Sequence, residues 1–266
     1  MIYNHLNFFS VTLCNHVDVD ILLPSMGDND AYLCKDLDRI YEKKTYPVLY
    51  LLHGALDDRT MWVRNTSIET YAQEKELVVV MPSAQNSFYV NAKAGLNYYS
   101  FVADELPKVI AKYFPISEKR EDTFIAGYSM GGYGATRIAL GNPERFASFA
   151  DLSGAVDPET LEPLMSEMGF DFFRYDLIFG GADKVKGSKN DVYQLAADLK
   201  DAVLKPEAHI YCGLDDSANH KMNLKLYETL KDNGFTAHFT DGPGGHDWAY
   251  WDKSIRDYIS KIRIEK

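Results

Sequence analysis

Short apolar runs recur along the chain, and each has the length of a buried β-strand. The runs YPVLYLLHG at 46–54 and ELVVVMPS at 76–83 lack polar alternation, which is typical of strands covered on both faces. Further strands are predicted at 122–127, 146–155, 208–213 and 235–243. Residues 8–23 alternate and then become apolar, which predicts one or two strands at the edge of the sheet.

Segments with helical spacing separate these strands. They lie at 67–76, 97–114, 130–141, 218–234 and 248–262. Pro107 either kinks the second of them or marks a first turn. The alternation of strands and helices predicts an α/β protein with a mostly parallel sheet covered by helices on both faces.

Two segments depart from this alternation. Residues 26–39 are expected to form a loop or turn between early strands. Residues 156–205 contain helical fragments, a Gly-Gly pair and a lysine-rich loop, but no convincing strand. We interpret 156–205 as a cap insertion over the carboxyl edge of the sheet, where open α/β sheets bind ligands. A plain helix-loop-helix crossover is the alternative. With this insertion, residues 1–266 are expected to form a single domain.

Composition narrows the choice of partner and compartment. The chain has 266 residues, of which 46% are hydrophobic, and a net charge of −11. Nucleic acids and anionic membranes require a basic face, so neither is an expected partner. The amino-terminal residues do not resemble a signal peptide, and no window is apolar enough to form a membrane helix. We therefore expect a cytoplasmic protein, and assembly into a homo-oligomer stays open.

The three cysteines do not suggest a disulfide framework or a zinc site, because their number is odd and no CxxC pair occurs. Cys14 and Cys212 lie in apolar, strand-like runs and are predicted to be buried thiols. No HExxH motif or cluster of metal ligands is evident, so no metal is expected.

One serine lies among glycines where a predicted strand becomes a helix. The stretch GYSMG at 127–131 matches the G-x-S-x-G pattern of a nucleophile elbow. Small residues let such a turn close, and the following helix directs backbone N–H groups toward a developing negative charge. Ser129 is therefore the predicted nucleophile. The alternative is a tight glycine turn that contains an incidental serine.

A serine hydroxyl needs a base to become an efficient nucleophile. His246 is the predicted base, because it lies in a glycine-rich loop after a strand, whereas His209 and His238 lie inside strands. The acid is expected after the strand at 208–213, where both Asp215 and Asp216 are available. Either aspartate could instead cap the following helix.

The oxyanion hole is expected to consist of backbone N–H groups. Met130 follows the serine and supplies one. Ala55, in the loop LLHGALDD, is the expected second donor. His53 in the same loop is interpreted as a structural residue that holds the loop in place.

These motifs, taken together, resemble one family. HGALDDRTMW, GYSMGGYGA, CGLDDS, GGHDWAYW and PSAQNSFYVN resemble the putative esterase family of α/β hydrolases, which includes tributyrin, feruloyl and acetyl-xylan esterases and S-formylglutathione hydrolases. The resemblance spans roughly residues 5–262 and implies an α/β-hydrolase fold. It also implies a Ser129–Asp216–His246 triad with the Ala55 and Met130 amides as the oxyanion hole. Asp216 is favoured over the preceding aspartate because the family's acid ends a Gly-x-x-Asp motif.

The expected activity is that of a serine carboxylesterase that hydrolyses short-chain acyl esters without a cofactor. Trp62, Phe88 and Tyr89 are expected to line its pocket, and a small ester is the expected partner. Feruloyl or acetyl-xylan esterase activity is the close alternative. Hydrolysis of S-formylglutathione is disfavoured, because the pocket loops show no cationic cluster for glutathione's carboxylates. A non-catalytic binding module is disfavoured because all three triad positions are filled.

Overall fold

The computed structural model describes residues 1–26, 36, 42, 44–170 and 173–264. Its centre is one eight-stranded sheet in the order β1-β2-β4-β3-β5-β6-β7-β8. The strands are β1 (Ile2–Ser10), β2 (Asn15–Leu23), β3 (Val48–Leu52), β4 (Val78–Pro82), β5 (Thr123–Tyr128), β6 (Ser148–Leu152), β7 (Glu207–Gly213) and β8 (Ala237–Gly242). From β4 to β8 in this order the neighbours pair in parallel, so the predicted mostly parallel sheet is confirmed.

The amino-terminal strands form a hairpin at one edge of the sheet. β1 pairs with β2, and β2 with β4, both in antiparallel register. Cys14 is exposed in the turn of this hairpin and has a positive φ of 50°, so the prediction of a buried thiol there was wrong. Cys212, within β7, is buried as predicted. The loop predicted at 26–39 lies, apart from residues 26 and 36, outside the described residues.

Helices cover both faces of the sheet. They are α1 (Met61–Asn65), α2 (Ile68–Glu74), α3 (Tyr98–Ser100), α4 (Leu106–Tyr113), α5 (Met130–Gly141), α6 (Pro158–Glu167), α7 (Tyr175–Ile178), α8 (Val192–Asp198), α9 (Ser217–Asp232) and α10 (Trp248–Lys261). Successive side chains of a strand point to opposite faces. Accordingly, Tyr50 and Leu52 belong to the core shared with α4, α5 and α9, whereas Leu49 and Leu51 belong to the core shared with α1, α2 and α10.

The segment predicted as the helix 97–114 contains a change of helical type. Phe101–Glu105 form a π-helical turn between α3 and α4. Pro107 lies in the first turn of α4, which directly continues the π-helical turn. Of the two expectations for this proline, the structure matches the one that places it in a first turn.

The two parts of the segment 156–205 have different neighbours. α8 packs against α5 and α9, as a crossover helix does. The stretch from α6 to α7 instead contributes side chains to a cavity that also contains Ser129. A short 3-10 helix, Ala182–Lys184, lies between these two parts. The described part of this segment contains no strand.

Candidate active site

Ser129 lies at the junction between β5 and α5, on a sharply bent backbone. Its φ of 54° and ψ of −120° form a combination that residues with a side chain rarely adopt. The bend requires glycine on both sides. A Cβ at Gly127 would collide with the carbonyl group of Gly131, and a Cβ at Gly131 would collide with the carbonyl group of Leu52. Close backbone packing therefore explains the glycines on either side of the serine.

Three side chains that follow three different strands meet at this junction. His246 Nε2 lies 3.0 Å from Ser129 Oγ, and His246 Nδ1 lies 2.7 Å from Asp216 Oδ2. Since β5, β7 and β8 run in parallel, the residues that follow them reach the same edge of the sheet. The backbone N–H of Asp215 donates to the carbonyl of Gly244 at 3.0 Å, which ties the acid loop to the histidine loop.

The two neighbouring aspartates have different surroundings. Asp216 is buried, whereas Asp215 is exposed at the rim of the cavity. Burial raises the pKa of Asp216, but hydrogen bonds with His246, Asn219 and Ser153 and the charge of His246 outweigh it, so the net pKa is below its usual value. Asp216 is also the N-cap residue of α9, yet its side chain accepts no capping hydrogen bond. Its carboxylate interacts with the histidine instead.

Asn219 is a site residue that the sequence analysis did not identify. Its Nδ2 donates to Asp216 Oδ1 at 2.8 Å and lies 3.2 Å from His246 Nδ1. The side chain is buried and follows Asp216 by three positions, which brings the two side chains together at the first turn of α9. That spacing is the signal from which Asn219 could have been found.

A tryptophan supports the histidine ring from the side. The Trp251 ring meets the His246 ring edge-on, with centroids 4.9 Å apart. Trp251 Nε1 donates to Ser153 Oγ at 3.2 Å, which orients the indole. The cap of α10 also restrains the histidine loop, because the Asp247 side chain accepts from the backbone N–H of Tyr250 at 2.9 Å. These contacts limit the orientations that the imidazole can adopt.

A neutral histidine, His53, holds the loop that carries Ala55 in place through two hydrogen bonds. His53 is buried, and burial lowers its pKa. Its Nε2 accepts the backbone N–H of Ala84 at 2.9 Å, so Nδ1 carries the hydrogen and donates to the Gly54 carbonyl at 2.6 Å. The contacts of His53 match the structural role that the sequence analysis assigned to it.

The same loop is held from the side by Tyr128, the residue before the serine. Tyr128 Oη donates to Asp57 Oδ2 at 2.5 Å. Its ring also packs directly on the loop backbone, because a Cβ at Gly54 would collide with that ring. The strand end that leads to Ser129 thus also fixes the position of the neighbouring loop.

Both residues named as expected oxyanion donors lie beside Ser129. Ala55 and Met130 line the cavity that contains Ser129. Met130 is the first residue of α5, where the backbone N–H has no partner within the helix. An N–H group in that position is available to a ligand in the cavity.

A largely apolar cavity of about 450 Å³ opens in front of Ser129. The stretch from α6 to α7 provides much of its wall, through Leu161, Met165, Met168, Phe170, Phe173 and Tyr175. Phe88 also lines the cavity, and its ring packs against Phe173 and Tyr175 with centroids 5.8 and 5.6 Å apart. Of the described residues that line the cavity, none is a lysine or an arginine.

Trp62 and Tyr89 were expected in this wall, and the structure places both elsewhere. Trp62 has no exposed surface, donates from Nε1 to the Leu52 carbonyl at 3.1 Å and packs against Tyr128. Tyr89 is also fully buried, and its hydroxyl donates to the His53 carbonyl at 2.9 Å. Both aromatic residues therefore support the loops of the site from behind, because each side chain turns into the core.

This arrangement of groups is suited to acyl transfer. An imidazole between a hydroxyl and a buried carboxylate can take up the hydroxyl proton, and the carboxylate stabilises the imidazolium that forms. The hydroxyl oxygen can then attack a carbonyl carbon. Backbone N–H groups at a helix amino terminus are suited to stabilise the oxyanion that develops on the carbonyl oxygen.

Comparisons with known proteins identify the family of the chain. The model of the putative esterase family matches residues 38–261. The acetyl esterase of Caldicellulosiruptor saccharolyticus is 31% identical over 265 residues, with 97% of each chain covered. The substrate-bound fluorophosphonate-binding serine hydrolase F of Staphylococcus aureus is 34% identical, with a TM-score of 0.86 and 99% of each chain covered. An S-formylglutathione hydrolase from Staphylococcus aureus is also 34% identical, with a TM-score of 0.83 and 98% of each chain covered.

The likeness extends over nearly the whole chain and includes the sheet and its covering helices. The fold is that of the α/β hydrolases, as the motifs implied. The enzyme class follows from the family together with these relatives. In the part of the chain that the structure describes, no helix has the length and apolar character needed to cross a membrane. The chain belongs to the putative esterase family of α/β hydrolases and is a carboxylic ester hydrolase that acts on small esters.

Proposed function

We propose that Ser129, His246 and Asp216 form the catalytic triad of a serine carboxylesterase that prefers short acyl chains. The observation that carries the proposal is the continuous hydrogen-bonded series from Asp216 through His246 to Ser129, which ends in the apolar cavity. Ser129 Oγ attacks the ester carbonyl while His246 takes its proton. The imidazolium then protonates the leaving alcohol, and an acyl-enzyme remains. Water, activated by the same imidazole, releases the acid.

The proposed oxyanion hole consists of the Ala55 and Met130 N–H groups. Two features support it: both residues line the cavity beside the serine, and the loop of Ala55 is fastened by His53 and Tyr128. Donors that are already in place need no reorganisation when the negative charge develops, and one such donor lowers the barrier to acyl transfer by about 3–4 kcal/mol.

The preference for short acyl chains follows from the shape and lining of the cavity. About 450 Å³ must hold both the acyl group and the alcohol, and Phe88, Phe173 and Tyr175 close one side with packed rings. The stretch from α6 to α7 thus acts as the proposed cap of a single domain. The acetyl esterase among the relatives is consistent with a small acyl group.

A second candidate function is the hydrolysis of a thioester such as S-formylglutathione, which one structural relative is named for. The lining of the cavity argues against it. Glutathione carries carboxylates, whereas the exposed charge at the cavity rim is that of Asp215, and the described lining contains no lysine or arginine. Like charges repel, so a neutral ester is the better match.

A series of p-nitrophenyl esters tests the proposal. We expect kcat/KM to be highest from acetyl to butyryl and to fall steeply by octanoyl. In Ser129→Ala, it should fall by about 10⁴-fold or more, because the triad acts as a unit. A fluorophosphonate probe should label the wild type at Ser129, as shown by peptide mass spectrometry.

The matched control is Ser217→Ala, which changes a second serine on the wall of the same cavity. It should keep labelling and most of the activity. Labelling at another residue, or an active Ser129→Ala enzyme with an unchanged melting temperature, would contradict the triad. A preference for decanoyl or longer esters would contradict the short-chain part alone.

A further inference from the structure

We propose that Glu207, His209 and His238 form a binding site for a divalent transition-metal ion. The site lies near the amino ends of β7 and β8, whereas the active site lies at the carboxyl ends of the strands. One potential ligand atom from each of these three residues lies within 4.8 Å of the others. No such cluster is evident in the sequence, because the two histidines are far apart along the chain and meet only through the pairing of β7 with β8.

The register of the sheet brings these ligands together. His209 and His238 are direct partners across the parallel pair β7 and β8. Glu207 precedes His209 by two positions on the same strand, so both side chains point to the same face. The imidazole rings stack with centroids 4.9 Å apart and an interplanar angle of 22°. All three side chains thus project from adjacent positions on a rigid, hydrogen-bonded sheet.

The distances between the ligand atoms are close to those that a metal ion imposes. His238 Nε2 and His209 Nε2 lie 2.9 and 3.5 Å from the same carboxylate oxygen, Glu207 Oε1. Ligands at about 2.0–2.1 Å from a tetrahedral ion are separated from one another by about 3.3 Å. Small side-chain rotations are therefore sufficient to converge on an ion, and the partly exposed His238 and Glu207 have room to make them.

The chemistry of the three ligands selects the class of ion. Neutral imidazole suits zinc, copper and nickel ions, and a carboxylate adds the negative charge that a divalent cation requires. The Lys261 ammonium near this face is paired with Asp257 at 2.6 Å, which reduces its repulsion of a cation.

The proposed site is open on one side and separate from the triad. His209 is buried against the Tyr258 ring, while about half of the His238 side chain is exposed, so an ion can enter from solvent and keep water ligands. In β7, Glu207 and His209 lie six and four residues before the last residue, Gly213, which puts the metal site roughly 13–20 Å from the carboxyl edge where the triad lies. Metal binding here would stabilise the pairing of β8, the edge strand, with β7.

Titration of the metal-free, untagged protein with ZnCl₂ or CuCl₂ tests the proposal. We expect one ion per chain by calorimetry and a rise in melting temperature with metal concentration, because an ion that binds the folded state stabilises it. The EPR spectrum of the Cu²⁺ complex should show coupling to two imidazole nitrogens. His238→Ala should lose one nitrogen and weaken binding by about 100-fold, and Glu207→Gln should weaken it by about 10-fold.

Two variants serve as controls. His220→Ala removes a histidine that also has a carboxylate partner, Asp241 at 3.0 Å, but belongs to no three-ligand group among the described residues. His246→Ala removes the active-site imidazole. Both should bind the ion as the wild type does. The proposal is wrong if the wild type binds neither ion, if His238→Ala retains full affinity, or if either control loses binding to the same extent.

Discussion

The turn around Ser129 and the wall from α6 to α7 border the same cavity, but they are built differently. The turn is shaped by backbone packed on backbone, since even one methyl group at Gly127 or Gly131 would collide with a carbonyl. The wall is shaped by side chains of α6, of α7 and of residues between them, several of which are methionine and phenylalanine. Methionine adapts to its neighbours, whereas packed backbone does not.

This difference separates the chemistry from the choice of substrate. Changes in the turn or its hydrogen-bonded partners should alter kcat, because they move the reacting atoms. Changes in the wall should alter which acyl group fits, because this wall borders the cavity in which we propose that the acyl group binds. Three predictions, in order of decreasing size, test this division, and a fourth concerns the pH dependence of stability.

Asp216→Asn should lower kcat by about 10³–10⁴-fold, because the amide would favour the wrong tautomer of His246. Asp215→Asn should change kcat by less than about threefold, because this exposed carboxylate lies at the rim, and the backbone N–H that ties the loop is unchanged. Steady-state kinetics with p-nitrophenyl acetate measures both. Greater damage from the Asp215 variant would move the acid by one residue and leave Asp216 as a helix cap.

Trp62→Ala should destabilise the protein by about 3–5 kcal/mol, since it removes a fully buried indole. It should leave the acyl-length profile unchanged, because the indole does not reach the cavity. Phe173→Ala, by contrast, should shift the optimum toward longer chains at a smaller cost, because this residue lines the cavity and is only partly buried. Urea denaturation and the ester series distinguish the two. A shifted profile in Trp62→Ala would restore the original expectation that this residue forms the wall.

Tyr128→Phe should lower kcat by about tenfold with little change in KM, because Asp57 would no longer hold the loop that presents the Ala55 N–H. The ring, and with it the packing on Gly54, is retained. Tyr211→Phe is the matched control, because it also removes a tyrosine hydroxyl that donates to an aspartate, Asp257, at 2.8 Å. Tyr211 lies in β7, away from the loop that carries Ala55. Equal losses in the two variants would indicate a general effect on stability rather than a positioned oxyanion donor.

Asp151 lies behind the turn, and the prediction for it concerns how the stability of the protein depends on pH. A Cβ at Gly132 would collide with its carboxyl group, which is fully buried. Its Oδ1 has no hydrogen-bond partner among the described residues, and burial raises its pKa to about 8. The folded protein therefore holds this proton more tightly than the unfolded chain does. The stability that it contributes is present below the unfolded pKa of about 4 and is lost as pH rises toward 8, with a slope of at most about 1.4 kcal/mol per pH unit.

Asp151→Asn should remove this slope, because an amide does not ionise. The free energy of unfolding, measured in urea at about pH 5.5 and about pH 8.5, should therefore differ less in the variant than in the wild type. Asp232→Asn, which changes an exposed carboxylate, serves as the control and should keep the wild-type difference. If the Asp151 variant shows the same difference in the free energy of unfolding as the wild type, the buried carboxyl is not the source of the pH dependence.

Local patterns in the sequence were enough to predict most elements and the candidate chemistry. The apolar runs predicted β3 to β8 to within a few residues, because strands buried on both faces leave a strong local signal. The motif around Ser129 and the loop around His246 were identifiable for a similar reason: each combines glycines with a polar residue soon after a strand. The resemblance to a family then favoured Asp216 over Asp215.

Other features depend on which residues meet in space, and the sequence alone could not predict them. Trp62 and Tyr89 belong to loops that flank the site, but the direction of each side chain depends on how those loops pack, and both turn inward. Asn219 joins the site because the first turn of α9 faces His246. The cluster of Glu207, His209 and His238 forms because the register of β7 and β8 places the two histidines side by side. A sequence displays local periodicity directly, whereas contacts between distant segments arise only when the whole core is packed.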